Sequence, residues 1–108
     1  KPGKPFGGKV SGGDLSRIAG GGLAMDTDRW AQLRALHDGE VEHFDRCFGV
    51  LEDGLAAAGL LDRTAIVLAS DHGEGLGERG GNVGHAYSLH RELVATPLII
   101  VGGVPGLR

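Results

Sequence analysis

The sequence predicts an α/β fold: a mainly parallel central sheet flanked by helices, of which this chain carries only part. Three observations predict it. Ala65-Ile66-Val67-Leu68-Ala69 is a short apolar run that breaks into Ser70-Asp71-His72-Gly73. A run of that composition between polar and glycine residues reads as a strand covered on both faces. Leu98-Ile99-Ile100-Val101 is a second such run, opened by Pro97 and closed by Gly102, Gly103 and Pro105. Between Thr27 and Ala58, apolar residues recur at steps of three and four, the period of an amphipathic helix. Doubly buried strands belong to sheets sandwiched between helices.

Taken in order, residues 1–26 read as a Gly-rich loop segment, with Pro2 and Pro5 and one brief helix over Leu15 to Ala19. Asp14 is its expected N-cap, and Gly20 to Gly22 end it. This segment reads as a surface approach without a part in chemistry. Residues 27–108 read as the partial domain. Trp30, Leu33, His37, Val41, Phe44, Phe48, Leu51, Leu55 and Ala58 form the helical stripe. Asp26 or Thr27 suits the N-cap, and Gly59 suits the left-handed residue past the last turn. Gly39, Gly49 and Gly54 interrupt the pattern, so one bent helix and two shorter ones both satisfy it. His37 reads as a core or rim residue, His43 as a solvated one and Cys47 as a small hydrophobe beside the buried face. Residues 73–88 form a long loop, which in a compact domain signals function or disorder. Leu89 to Val94 suits a helical turn.

Composition narrows the function classes. The chain has 108 residues, enough for one small domain, and two buried strands with one long helix cannot cover one another. The sequence is therefore expected to be a piece of a larger domain. A net charge of -3 supplies no basic face for nucleic acid. No apolar run approaches the roughly 20 residues of a transmembrane helix. Cys47 is the single cysteine, which excludes an intrachain disulfide.

The chemistry concentrates just past the first strand, where open α/β sheets hold ligands. Asp71 offers a hard oxygen and His72 a borderline nitrogen, a pair suited to a divalent cation. Two ligands are fewer than zinc or calcium takes, and His85 at the far end of the loop is the next candidate, as a third ligand, proton donor or anion contact. Glu74 and Glu78 could also be ligands, though as loop carboxylates they read as solvated, and an Asp71 that only caps a turn beside an exposed His72 is the bland alternative.

The runs LHDGEVEHFDRCFGVLEDGLAAAGLLDRTAIVLASDHGEGLGERGG and GHAYSLHRELVATPLIIVGG resemble the C-terminal part of the sulfatase catalytic domain, within the alkaline phosphatase superfamily. The resemblance covers about Leu33 to Gly106. Its most specific part is Ser70-Asp71-His72-Gly73-Glu74 with Leu76-Gly77-Glu78 and Pro97-Leu98-Ile99-Ile100 downstream. It implies an alkaline-phosphatase-like sandwich, with Asp71 and His72 as metal ligands and His85 as the catalytic and substrate-binding residue on the sulfate. The implied ion is calcium for a sulfate ester hydrolase. It is manganese or zinc for a phosphonate or phosphodiester hydrolase, or a phosphoethanolamine-type transferase, of the same superfamily. Arg79 stands where the family often has histidine, and His37 and His90 where it often has tyrosine. The family's nucleophile motif, Cys or Ser-x-Pro-x-Arg, does not occur here, and Cys47-Phe48-Gly49-Val50 does not match it. The chain by itself is therefore expected to be inactive. A non-catalytic stand-alone domain is the reading from another class.

Overall fold

The computed structural model describes residue 6, residues 9–86 and residues 88–102. The expected strand stops at Gly103 and Pro105, and the prolines at 2 and 5, lie outside the described residues. The described chain runs α1 (Gly12–Ala19), α2 (Thr27–Ala57), a 3-10 turn (Leu61–Arg63), β1 (Ala65–Ala69), β2 (Gly75–Leu76), β3 (Val83–Gly84), α3 (Arg91–Val94) and β4 (Leu98–Gly102).

Ser11, not Asp14, caps α1. Asp14 sits three residues in and completes a capping box. The Ser11 side chain accepts from the Asp14 backbone N–H at 3.2 Å, and the Ser11 N–H donates to Asp14 Oδ2 at 3.0 Å. The helix thus starts earlier than its apolar spacing predicts, because Ser11 and Asp14 together satisfy two free amides at its N-terminus. The Ser11 hydroxyl, bonded to Asp14, holds that carboxyl below its ordinary range.

One continuous helix, α2, covers the whole predicted stretch despite its glycines. Asp26 caps it, accepting from the Arg29 N–H at 2.9 Å. Gly59, at φ 65°, ends it as the sequence predicts, with its N–H on the Ala56 carbonyl at 2.9 Å.

The core is small and lies at the N-terminal half of α2. Ile18 of α1, Leu33 of α2 and Val83 of β3 are its buried members, and Phe6, Val10, Leu15, Trp30 and Leu76 pack around them. The N-terminal segment is therefore more than a surface approach. Gln32 holds it to α2 from both sides, accepting from the Phe6 N–H at 2.8 Å and donating to the Phe6 carbonyl.

The sheets differ from the expected parallel arrangement. β1 pairs with β4 antiparallel, in register from Ala65↔Gly102 to Ala69↔Leu98. β2 and β3 form a second antiparallel pair, Gly75↔Gly84 and Leu76↔Val83. Among the described residues there is no parallel pairing. Apolar composition marks out a strand; it does not report the direction of its neighbour.

Every residue of β4 is exposed, and β1 alternates between exposed and half-buried. On α2, Val41, Phe44 and Leu51 of the predicted stripe are more than half exposed. Cys47, expected beside a buried face, is exposed, because nothing among the described residues covers that stretch of α2. No helix among the described residues is long and apolar enough to cross a membrane.

The β2–β3 turn is fastened to α2 at one point. Gly77 has φ 93°, and a Cβ there would stand 2.7 Å from the Trp30 ring. Gly77→Ala combines a disfavoured backbone with an aromatic overlap. It is expected to cost about 1–3 kcal/mol, read as a lower midpoint of thermal or urea unfolding. An unchanged midpoint would show that the turn does not bear on Trp30.

Candidate metal and anion site

β1 delivers Asp71 and His72 just past its carboxyl end, as the apolar run predicts. The backbone there is fixed by three bonds. The His72 N–H donates to Asp71 Oδ1 at 3.0 Å, the Ser70 hydroxyl donates to the His72 carbonyl at 2.6 Å, and the Gly73 N–H donates to the Leu93 carbonyl at 2.8 Å. Gly73 is required by space rather than by backbone freedom. Its φ is not positive, but a Cβ would run into the Glu92 carbonyl oxygen of α3. The glycine lets the loop pass flush against α3.

His72 Nδ1 lies 2.9 Å from the Gly73 carbonyl oxygen. A carbonyl only accepts, so Nδ1 carries the proton and Nε2 is left with its lone pair. That Nε2 lies 3.9 Å from Asp71 Oδ2, on a carboxylate that is 89% exposed. Two donors at that separation can share one cation at the usual ligand distances of about 2.1–2.5 Å. A second hydrogen bond that fixes the tautomer is what metal-bound histidines usually have. The donor chemistry of Asp71 and His72 therefore fits a divalent ion, with the remaining ligands to come from elsewhere.

The β2–β3 hairpin brings in His85. Its register pairs Gly75 with Gly84, so the next positions outward, Glu74 and His85, meet across the ladder. His85 Nδ1 lies 2.6 Å from Glu74 Oε1. The His85 ring also stacks on the His72 ring, with centroids 3.9 Å apart and 27° between planes. The three predicted site residues are thus neighbours in a chain: Asp71 beside His72, His72 against His85.

Glu74 is the residue whose surroundings the sequence reading placed wrongly. It was expected to be solvated, yet its side chain is only 29% exposed and its Oε1 is also 3.8 Å from His72 Nδ1. The signal was the short Gly-Leu and Val-Gly pair flanking a Gly-rich turn, too brief to show strand periodicity. His72, Glu74 and His85 offer donor atoms close enough to gather round an ion. In this arrangement, however, both imidazole Nδ1 atoms are already hydrogen-bonded. Each ring keeps its Nε2, and that of His72 lies 3.9 Å from Asp71 Oδ2.

Glu78 accepts from the Leu76 N–H at 2.7 Å. Arg79 holds Glu92 of α3 at 2.9 Å, which ties the hairpin tip to the helix that Gly73 passes. The Glu92 carboxyl sits below its ordinary range, chiefly through its own backbone N–H and then through Arg79, against some opposing desolvation. His43 lies exposed, 3.7 Å from Cys47 Sγ. His90 precedes α3 without a side-chain cap. His37 is half-buried and lines a groove of about 490 Å³ with Val10, Leu15, Leu36, Glu74 and His85.

Fold and site define a mixed helix-and-strand protein that gathers a carboxylate and imidazoles at the end of one strand. Comparison narrows that class. The family model described as Sulfatase matches residues 7–103, and the chain belongs to the sulfatase family, within the alkaline phosphatase superfamily. It is 34% identical over 83 residues to the multifunctional alkaline phosphatase superfamily protein PehA of Trinickia caryophylli, covering 75% of this chain and 15% of that protein. It is 36% identical over 77 residues to the low-salt glycan biosynthesis sulfotransferase Agl7 of Haloferax volcanii, covering 68% of this chain and 19% of that protein. The chain thus spans less than a fifth of the length of these relatives. No solved structure matches it.

Proposed function

We propose that the chain is part of the catalytic domain of a metal-dependent hydrolase that cleaves sulfate esters. The observation that carries this reading is the line of Asp71, His72 and His85 at the carboxyl end of β1, in a chain of the sulfatase family. Asp71 and His72 hold a divalent ion, calcium. When bound, the ion supplies Lewis-acid stabilisation of the charge on the transferring group. His85 steadies an oxygen of the sulfate and helps the leaving group depart, a fixed donor where charge develops. The nucleophile comes from outside these 108 residues, so the chain alone is inactive. The open faces of α2 and of the β1–β4 sheet then pack inside the complete domain. There β1 takes its place in a mainly parallel central sheet flanked by helices, with residues 27–108 inside the catalytic domain and 1–26 leading into it.

A second reading is a phosphoryl-group enzyme of the same superfamily. The imidazole ligand favours it, since nitrogen donors suit zinc better than calcium. The test is turnover of an aryl sulfate beside an aryl phosphate and an aryl phosphonate by the intact protein, loaded in turn with calcium, manganese and zinc. The expected result is highest kcat/KM on the sulfate with calcium. Faster phosphonate turnover would sink the sulfate reading. No turnover at all, with a melting transition indifferent to metal and chelator, would favour a non-catalytic domain.

A further inference from the structure

We propose that Glu74 is a positioning residue for His85: it fixes the imidazole in the Nδ1–H tautomer and so makes Nε2 the atom that meets the substrate. This rests on the reading of His85 as the sulfate contact.

The argument starts from the 2.6 Å separation of His85 Nδ1 and Glu74 Oε1. An ionised carboxylate only accepts, so Nδ1 donates. The ring then has one free nitrogen, Nε2. A neutral ring in this pose offers its lone pair there, and an imidazolium offers an N–H to an anion. In either state the same atom faces outward.

Two further contacts fix the ring. The stack on His72 sets its plane, at 3.9 Å and 27°. The hairpin register sets its distance from Glu74, since Gly75↔Gly84 and Leu76↔Val83 leave no other partner opposite residue 85. Glu74 is itself partly withdrawn from water, at 29% side-chain exposure against 53% for His85. A carboxylate behind, an imidazole in the middle and a substrate in front is the arrangement that orients histidine in other enzymes.

The same geometry separates this role from metal ligation. Glu74 Oε1 stands at hydrogen-bond distance from one imidazole and 3.8 Å from the other, whose Nδ1 proton goes to Gly73. An ion bound through the two Nδ1 atoms would have to displace both bonds.

The experiment records imidazole 15N–1H correlations of the intact protein at pH about 9, above the usual histidine range. Glu74→Ala and Glu74→Gln are compared with the parent, and His85→Gln assigns the resonance. Bound metal and steady-state kinetics on an aryl sulfate are measured on the same samples. The parent is expected to show His85 protonated at Nδ1. Glu74→Ala is expected to shift the ring toward Nε2–H and to lower kcat about 10–100-fold, with metal content and KM unchanged. Glu74→Gln keeps an oxygen acceptor, so it is expected to retain the Nδ1–H tautomer and most of kcat. An identical tautomer in parent and Glu74→Ala would overturn the proposal. So would loss of bound metal in Glu74→Gln, which would make the carboxylate a ligand. The tautomer is read without turnover, so a protein inert toward sulfate esters would sink the functional reading and still test the Glu74–His85 pair.

Discussion

Asp71→Ala is expected to release the divalent ion and to lower kcat/KM on an aryl sulfate by about 10³-fold or more, since a Lewis-acid ion supplies several kcal/mol of transition-state stabilisation and each 1.4 kcal/mol is tenfold in rate. The fold is expected to survive. The Asp71 side chain is 89% exposed, and its Oδ1 accepts from the N–H of His72. Among the described residues a side chain so exposed leaves no cavity when it is removed. The measurement is metal content after gel filtration, with the rise in unfolding midpoint on adding calcium as a second readout. Parent protein should bind and be stabilised; Asp71→Ala should do neither. Full metal content with full activity in the variant would remove Asp71 from the site and leave it as the cap of its own turn. His72→Ala is the harsher variant, because it also removes the ring on which His85 stacks. A larger loss there than in Asp71→Ala is therefore expected even at equal metal content.

Much of the scaffold was legible because it follows from hydrophobic period. The stripe from Trp30 to Ala58 reads as a helix, and α2 is one, with Asp26 and Gly59 at its ends as their chemistry requires. The apolar runs at 65–69 and 98–101 read as strands and are strands. The position of Asp71 and His72 follows from where the first run stops. The sheet's direction did not follow, because side chains specify which faces are buried and not which way a neighbour runs. The exposure of Cys47 did not follow either. A stripe predicts a buried face only where something covers it, and the second half of α2 is bare among the described residues.

The hairpin was the largest omission, and it had the largest consequence. β2 and β3 are each two residues long, too short for alternation to show. Their pairing depends on a turn with positive φ at Gly77, Gly80 and Gly81 and on Trp30 underneath, not on composition. A stretch that reads as loop thus carries the one register that brings Glu74 to His85, which are 11 residues apart in sequence. A carboxylate judged alone reads as solvated; judged across a ladder it is an imidazole's partner.

The second large effect belongs to His85. His85→Gln is expected to lower kcat by about 10²–10³-fold, the scale found when one preorganised donor to a developing anion is removed, while metal content stays at the parent level. The ring is 53% exposed and its contacts are Glu74 and the His72 ring, so its loss does not open the core formed by Ile18, Leu33 and Val83. The dependence on leaving group decides what His85 does. A residue that assists departure matters most when the departing oxygen is most basic. The loss in His85→Gln would then grow from nitrophenyl sulfate to phenyl sulfate to an alkyl sulfate. A residue that only steadies the oxygens left on sulfur would cost the same across that series. Kinetics of parent and variant on the three esters distinguish the slopes. A variant as fast as the parent on all three would leave His85 as a support for the His72 ring, and the anion contact would have to be sought elsewhere in the protein.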